Sequence, residues 1–176
     1  MIPYIGDISK QDADLLAKYA RSAKKILEFG SGASTQVLAW AAPEDARVVS
    51  VETEPWWIER TKGNLEKLGI TRPVEFVAYH DTPGDDYDLV FVDGVDDLRR
   101  PFSQIAWLML KVGGHLMFHD TRRHHDLSQA MMIPTDYPGE VSEIRICEGE
   151  SNITVLTKRE KLAWEDWNVV EGRSPM

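Results

Sequence analysis

The sequence holds a single cysteine, Cys147. One thiol has no partner within the chain, which excludes a disulfide-stapled scaffold and fits a reducing, cytoplasmic setting. The apolar neighbours of Cys147 predict a buried strand residue. No apolar run approaches the roughly 20 residues that a bilayer-spanning helix needs. Residues 1–10 lack a basic stretch followed by an apolar one, so no secretory signal is expected. Basic charge is also short, with 20 Lys and Arg against 29 Asp and Glu, a net charge of -9. Such a surface repels a phosphate backbone, and no nucleic-acid partner is expected. The densest basic stretch, Arg122-Arg123-His124-His125, reads as a solvated loop. Internal repeats, low-complexity segments and linker-like composition are absent as well.

What remains is the composition of one soluble domain: 176 residues, 43% hydrophobic and 28% charged, long enough to bury a core. Strand-like apolar runs alternate with amphipathic segments, which predicts a mostly parallel sheet covered by helices. A first helix is expected over residues 9–22, with Ser9 and Asp12 as its capping pair. Strands are expected at 26–29, 47–52, 74–80, 87–92 and 115–119. Helices are expected between them at 35–42, 55–68 and 100–111, with Pro55 opening one and Gly69 stopping it. Residues 143–148 and 152–158 are joined by Gly149-Glu150-Ser151, too short a link for a helical crossover, so the last pair must be antiparallel. The expected fold class is therefore α/β, a Rossmann-like three-layer sandwich. Its mostly parallel sheet has about seven strands and closes on a C-terminal antiparallel hairpin. Trp164 and Trp167, three apart in the tail 160–176, are expected to dock on the core.

The segment Ile26-Leu27-Glu28-Phe29-Gly30-Ser31-Gly32-Ala33-Ser34-Thr35 reads as a strand, a glycine turn and a helix start. Glycines let the backbone approach a ligand closely, and free helix N–H groups suit a carboxylate or phosphate. About twenty residues past Gly32, Glu52 ends the second strand, where an acid can accept the hydroxyls of a ribose. Ser31, Ser34 and Thr53 lie beside these groups. An adenosine-type ligand follows. A dinucleotide fingerprint wants a third glycine where Thr35 stands, and Glu28 would repel a pyrophosphate while attracting an ammonium. An aminocarboxypropyl tail carries both a carboxylate and an ammonium, which favours S-adenosylmethionine over NAD. Trp57, close behind Glu52, either borders an adenine or packs in the core.

Glu-Phe-Gly-Ser-Gly-Ala-Ser, Val-Val-Ser-Val-Glu, Tyr-Asp-Leu-Val-Phe-Val-Asp-Gly and Gly-Gly-His-Leu-Met-Phe-His-Asp, in that order, resemble the class I S-adenosylmethionine-dependent methyltransferases. The resemblance covers residues 24–158. It implies that Glu28, Gly30 and Gly32 hold the methionine portion and Glu52 the ribose, while His80 and Asp81 approach the adenine. Within the family it is similar to the small-molecule O-methyltransferases of the catechol and macrolide-sugar types. In those enzymes acids after the fourth and fifth strands, here Asp93 and Asp120, hold a magnesium ion, and Asp93 also borders the cofactor. Two departures stand out: Thr121 occupies the place of the third ligand, and Asp96 that of a lysine. Without a metal, His119 is the candidate base, because imidazole titrates near neutrality, with Asp96 to orient it or act itself. His119, His124 and His125 fit no standard zinc spacing.

The leading expectation is an enzyme that methylates a small-molecule acceptor, with oxygen as the acceptor atom. Small enzymes of this type can dimerise to complete a pocket, so a homodimer is one expectation. Two other readings stay open: an NAD-dependent oxidoreductase or epimerase, disfavoured by Thr35 and the lack of a Tyr-x-x-x-Lys pair, and a non-catalytic cofactor-binding module.

Overall fold

A computed structural model describes residues 1–84 and 86–162 of the chain. The expected tail contacts of Trp164 and Trp167 lie outside the described residues. In chain order the elements are α1 (Lys10–Ala20), β1 (Lys25–Phe29), α2 (Ala33–Ala41), β2 (Arg47–Val51), α3 (Pro55–Lys67), β3 (Val74–Val77) and β4 (Tyr87–Val92). They continue with α4 (Asp96–Met109), β5 (Leu110–Phe118), α5 (His124–Ala130), α6 (Met132–Asp136), β6 (Val141–Arg145) and β7 (Thr154–Lys158). Among the described residues no helix is long and apolar enough to cross a membrane.

The seven strands form one sheet in the order β3-β2-β1-β4-β5-β7-β6. β1 pairs in parallel with β2 and β4, β2 with β3, and β4 with β5, whereas β7 runs antiparallel between β5 and β6. The sheet order reverses between β1 and β4, and open α/β sheets bind ligands at the carboxyl ends of such a pair. β1 and β4 are buried almost throughout because helices cover both of their faces. Strand alternation sorts the core into two layers. Ile26, Val48, Leu89, Phe91 and Met117 pack with α1 and α2 on one face. Leu27, Phe29, Val49, Val90 and Phe118 pack with Phe102 and Trp107 of α4 and Ile133 of α6 on the other.

Local chemistry accounts for most element ends. The Ser9 hydroxyl accepts from the Asp12 N–H at 3.0 Å and starts α1. Pro55 opens α3, and Gly69, at φ +66°, follows its end.

Four expectations need correction. β3 stops at Val77, and residues 79–81 form a 3-10 turn instead of continuing the strand. α4 begins at Asp96 rather than near Arg100; two acids in its first turn suit the helix dipole, and Pro101 is accommodated within it. His124 and His125 open α5 rather than sitting in a loop, since Ala130 and Ile133 bury an apolar face beside α4. Cys147 is half-buried in a left-handed turn at φ 48°, ψ 50°, beyond the end of β6, not in a strand.

Candidate functional site

The carboxyl ends of β2, β1, β4 and β5 come together at one edge. Their ladder extends one residue past the strands: Glu52 N–H donates to Val77 O, Gly30 N–H to Val51 O, Asp93 N–H to Phe29 O and His119 N–H to Val92 O. The β1 and β4 turns touch there. A Cβ on Gly30 would lie 2.9 Å from both Cα and N of Gly94, and both glycines sit at positive φ, +97° and +105°. Only glycine fits that crossing.

A cavity of about 430 Å³ opens over this edge, within the size range of small-molecule sites. Gly30, Ser31, Gly32 and Ser34 wall one end with the start of α2; Val51, Glu52, Thr53 and Glu54 wall the other, with Trp57, Arg60, Thr61 and Asn64 of α3 behind them. Asp93, Gly94, Val95 and Phe102 form the β4 side, and residues 5–8 and Gln36 the N-terminal side.

The turn is braced before any ligand arrives. Glu52 Oε2 accepts from the Ser31 N–H at 2.9 Å, and its Oε1 accepts from the N–H groups of Thr53 and Glu54 at 2.6 and 2.9 Å. Glu52 therefore ties the end of β2 to the β1 turn while lining the cavity. The Thr35 hydroxyl accepts from the Gly32 N–H at 2.9 Å and donates to Glu28 Oε2 at 2.5 Å. Gln36 clamps the N-terminal segment over the turn, accepting from Ile5 N–H at 2.7 Å and donating to Ile5 O at 3.0 Å.

Glu28 is not on the cavity wall. It alternates with Ile26 toward the α2 layer and is fully buried, with the Ser50 hydroxyl donating to its Oε2 at 2.9 Å across the β1–β2 register. Among the described residues its Oε1 has no hydrogen-bond donor. Burial pushes the carboxyl up to about 7, and the nearby hydroxyls of Ser34, Thr35 and Ser50 pull it back only in part. Glu28, expected beside an ammonium, thus lies off the cavity wall, whereas Asp93 lines it together with Glu52 and Glu54. Asp81 also stays away from it: the 3-10 turn leaves His80 and Asp81 exposed, 3.4 Å from each other. Trp57 does border the cavity, with the Arg60 guanidinium 4.9 Å from its ring centre and Trp56 stacked on it.

Behind Asp93 lies a buried charge cluster. His119 is 3.6 Å from Asp12 of α1, 3.4 Å from Asp93 and 3.5 Å from Asp120, and neither ring nitrogen has a hydrogen-bond partner among the described residues. Burial alone would lower its pKa, but Asp12, Asp93 and Asp120 raise it to about 10. At neutral pH the ring is an imidazolium, not the free base expected of it. Asp96 does not orient it: it is exposed in α4, 3.4 Å from Arg99 and 3.5 Å from Arg123.

The cluster is organised by Arg99, a residue just before the expected helix start at Arg100 and with no local signal of a site role, which the structure places inside α4. Its buried guanidinium donates from Nη2 to Asp93 Oδ1 at 3.0 Å and Asp120 Oδ2 at 3.1 Å, from Nη1 to Asp126 Oδ1 at 2.9 Å, and from Nε to Gly94 O at 3.1 Å. Asp93, His119 and Asp120 each bring a ligand atom within 4.8 Å of the others, the spacing of a metal site. Donors already engage one oxygen of Asp93 and both oxygens of Asp120, however. Asp93 Oδ2 faces His119, Asp120 Oδ2 also faces Arg123 at 2.5 Å, and Asp120 Oδ1 accepts from the Asn152 amide at 3.0 Å. Thr121 does not join them; its buried hydroxyl accepts from Thr154 at 2.9 Å.

Among known proteins, a catechol O-methyltransferase of Mycobacterium tuberculosis is 34% identical over 110 residues, covering 57% of this chain and 49% of that protein. Tricin synthase 1 of Oryza sativa is 27% identical over 131 residues, covering 64% of this chain and 52% of that protein. The chain spans about half the length of these curated relatives. The O-methyltransferase TomG from Streptomyces achromogenes, solved in complex with SAM, superposes with a TM-score of 0.68 at 21% identity, over 87% of this chain and 82% of that one. No family profile matches the chain. The architecture is the Rossmann-like methyltransferase fold, and in sequence the chain resembles the class I S-adenosylmethionine-dependent methyltransferases, on their small-molecule O-methyltransferase side.

Proposed function

We propose that this chain is an S-adenosylmethionine-dependent methyltransferase that methylates a small-molecule acceptor on oxygen. The observation that carries the reading is one cavity lined jointly by the Gly30-Ser31-Gly32 turn, the start of α2, Glu52 and Asp93. In this reading the α2 N-terminus takes the cofactor carboxylate, Glu52 the ribose hydroxyls, and Asp93 in place of Glu28 the ammonium. Methyl transfer from a sulfonium is an in-line displacement, so the protein's task is to align the acceptor oxygen and exclude water. Thr35 argues against a dinucleotide: it fills the place of the third glycine, and its hydroxyl closes the turn onto Gly32 and Glu28.

Magnesium does not fit the residues present. Arg99 already bridges Asp93 Oδ1 and Asp120 Oδ2, Asp120 also accepts from Arg123 and Asn152, and the remaining oxygen, Asp93 Oδ2, faces the cationic His119. The single cysteine supports a cytoplasmic location, and the net charge of -9 speaks against a nucleic-acid partner. A homodimer follows only from the resemblance, and light scattering reads it.

A non-catalytic cofactor-binding module is the second reading. In its favour, His119 and the acids around it are engaged with one another rather than free. Calorimetry with S-adenosylhomocysteine and with NADH tests the ligand: one equivalent of the former and none of the latter is expected, and the reverse pattern ends the proposal. A radiolabelled methyl-transfer screen over catechols, sugars and peptides separates the enzyme from the module.

A further inference from the structure

We propose that Arg99 is a built-in substitute for a divalent cation at the acceptor pole, so that this chain takes up no metal at Asp93 and Asp120 and does not hold its acceptor by chelation. The inference deepens the methyltransferase reading and rests on it for the word acceptor; the metal part stands on geometry alone.

Two carboxylates at neighbouring strand ends repel each other unless a cation lies between them. One guanidinium nitrogen of Arg99 sits 3.0 Å from Asp93 Oδ1 and 3.1 Å from Asp120 Oδ2, bridging the pair as a metal ion would. The other nitrogens are tied down independently, Nη1 to Asp126 and Nε to the Gly94 carbonyl. Asp126 is itself buried and takes a second contact from Arg123 Nε at 2.7 Å. Swinging Arg99 aside to admit a metal would therefore leave buried Asp126 with Arg123 alone of these two cations and the Gly94 carbonyl without its Nε donor, which buried charge networks resist. Planar guanidinium suits this role better than an ammonium, because its donors diverge toward several carboxylates at once. Magnesium asks for near-octahedral oxygen ligands and keeps several waters, and a fixed cation already contacts one oxygen of each acid.

A consequence for the acceptor follows. A magnesium ion rewards two adjacent oxygens on one molecule, as in a vicinal diol or a catechol. With an arginine buried behind the acids, that reward is gone. The acceptor class is a molecule presenting one hydroxyl, with no advantage for a neighbouring one.

Titration with Mn2+, followed by the electron paramagnetic resonance of the free ion and by thermal melting, tests the metal part on the full chain. The wild type is expected to leave the free-ion signal and its melting temperature unchanged at millimolar Mn2+. Arg99→Ala removes the cation that bridges the two acids and is expected to bind Mn2+ at least tenfold more tightly than wild type, the gain vanishing when Asp93→Asn is added. One equivalent of Mn2+ bound by the wild type and lost in Asp93→Asn overturns the proposal, as does a folded Arg99→Ala that gains nothing. Should Arg99→Ala not fold, the wild-type and Asp93→Asn titrations still decide it. In the methyl-transfer screen, activity unaffected by a chelator and equal on phenols and catechols supports the acceptor part; activity confined to catechols and abolished by the chelator overturns it. A screen with no turnover at all refutes the enzyme reading and leaves the Mn2+ result standing.

Discussion

Replacing His119 by glutamine removes a buried cation that three carboxylates from α1, β4 and β5 surround. Its pKa is raised from 6.5 to about 10 in the folded chain, which corresponds to about 5 kcal/mol of linked stability. Sharing among three acids and neighbouring arginines reduces what one substitution reads, to about 3 kcal/mol. Because the folded pKa lies above the unfolded one, this stabilisation is fully present below pH 6.5 and disappears as pH rises through about 10. Urea midpoints for wild type and His119→Gln are therefore expected to differ most below pH 6.5 and to converge toward pH 10. The comparison cancels lysine and tyrosine titrations common to both proteins. An imidazole proton resonance of His119 that titrates near 6.5, or a stability gap that does not change with pH, would refute the reasoning.

Gly30→Ala forces a Cβ to 2.9 Å from the Gly94 backbone at φ +97°; a loss of about 2–3 kcal/mol is expected in chemical denaturation, together with weaker cofactor binding. Glu52→Ala removes the proposed ribose acceptor and the brace on Ser31 N–H, so S-adenosylhomocysteine affinity should fall by about 1.5–3 kcal/mol in calorimetry; unchanged affinity would show that the ribose lies elsewhere. Glu28→Gln removes a carboxyl whose folded pKa, about 7, lies above its ordinary 4.5. The wild type therefore loses stability as pH rises from about 4.5 to about 7, and urea midpoints of the variant should lack that part of the decline.

Much of this architecture is legible in the chain because its causes are local. Short apolar runs mark β1, β2 and β4, Ser9 and Pro55 mark helix starts, and Gly30 and Gly69 mark turns where a positive φ is needed. The strand-turn-helix at residues 26–35 and the acid at Glu52 follow from the same signals, and so do Asp93 and Asp120 at strand ends. The boundaries that went astray have weaker signals. Pro101 disguises the start of α4, and α5 and α6 are too short for their periodicity to stand out.

Adjacency in the chain thus determined the fold class, the glycine turn and the acids at the strand ends, since each depends on residues within one element or its flanking turn. Only the tertiary structure decided what those acids do. Strand alternation against α2 placed Glu28 below the turn. Asp12 of α1 came to face His119 and raise its pKa, and Arg99 came to sit between Asp93 and Asp120. Ionisation and metal uptake depend on charges a few ångströms away in space, and no pattern of spacing along the chain reports those distances.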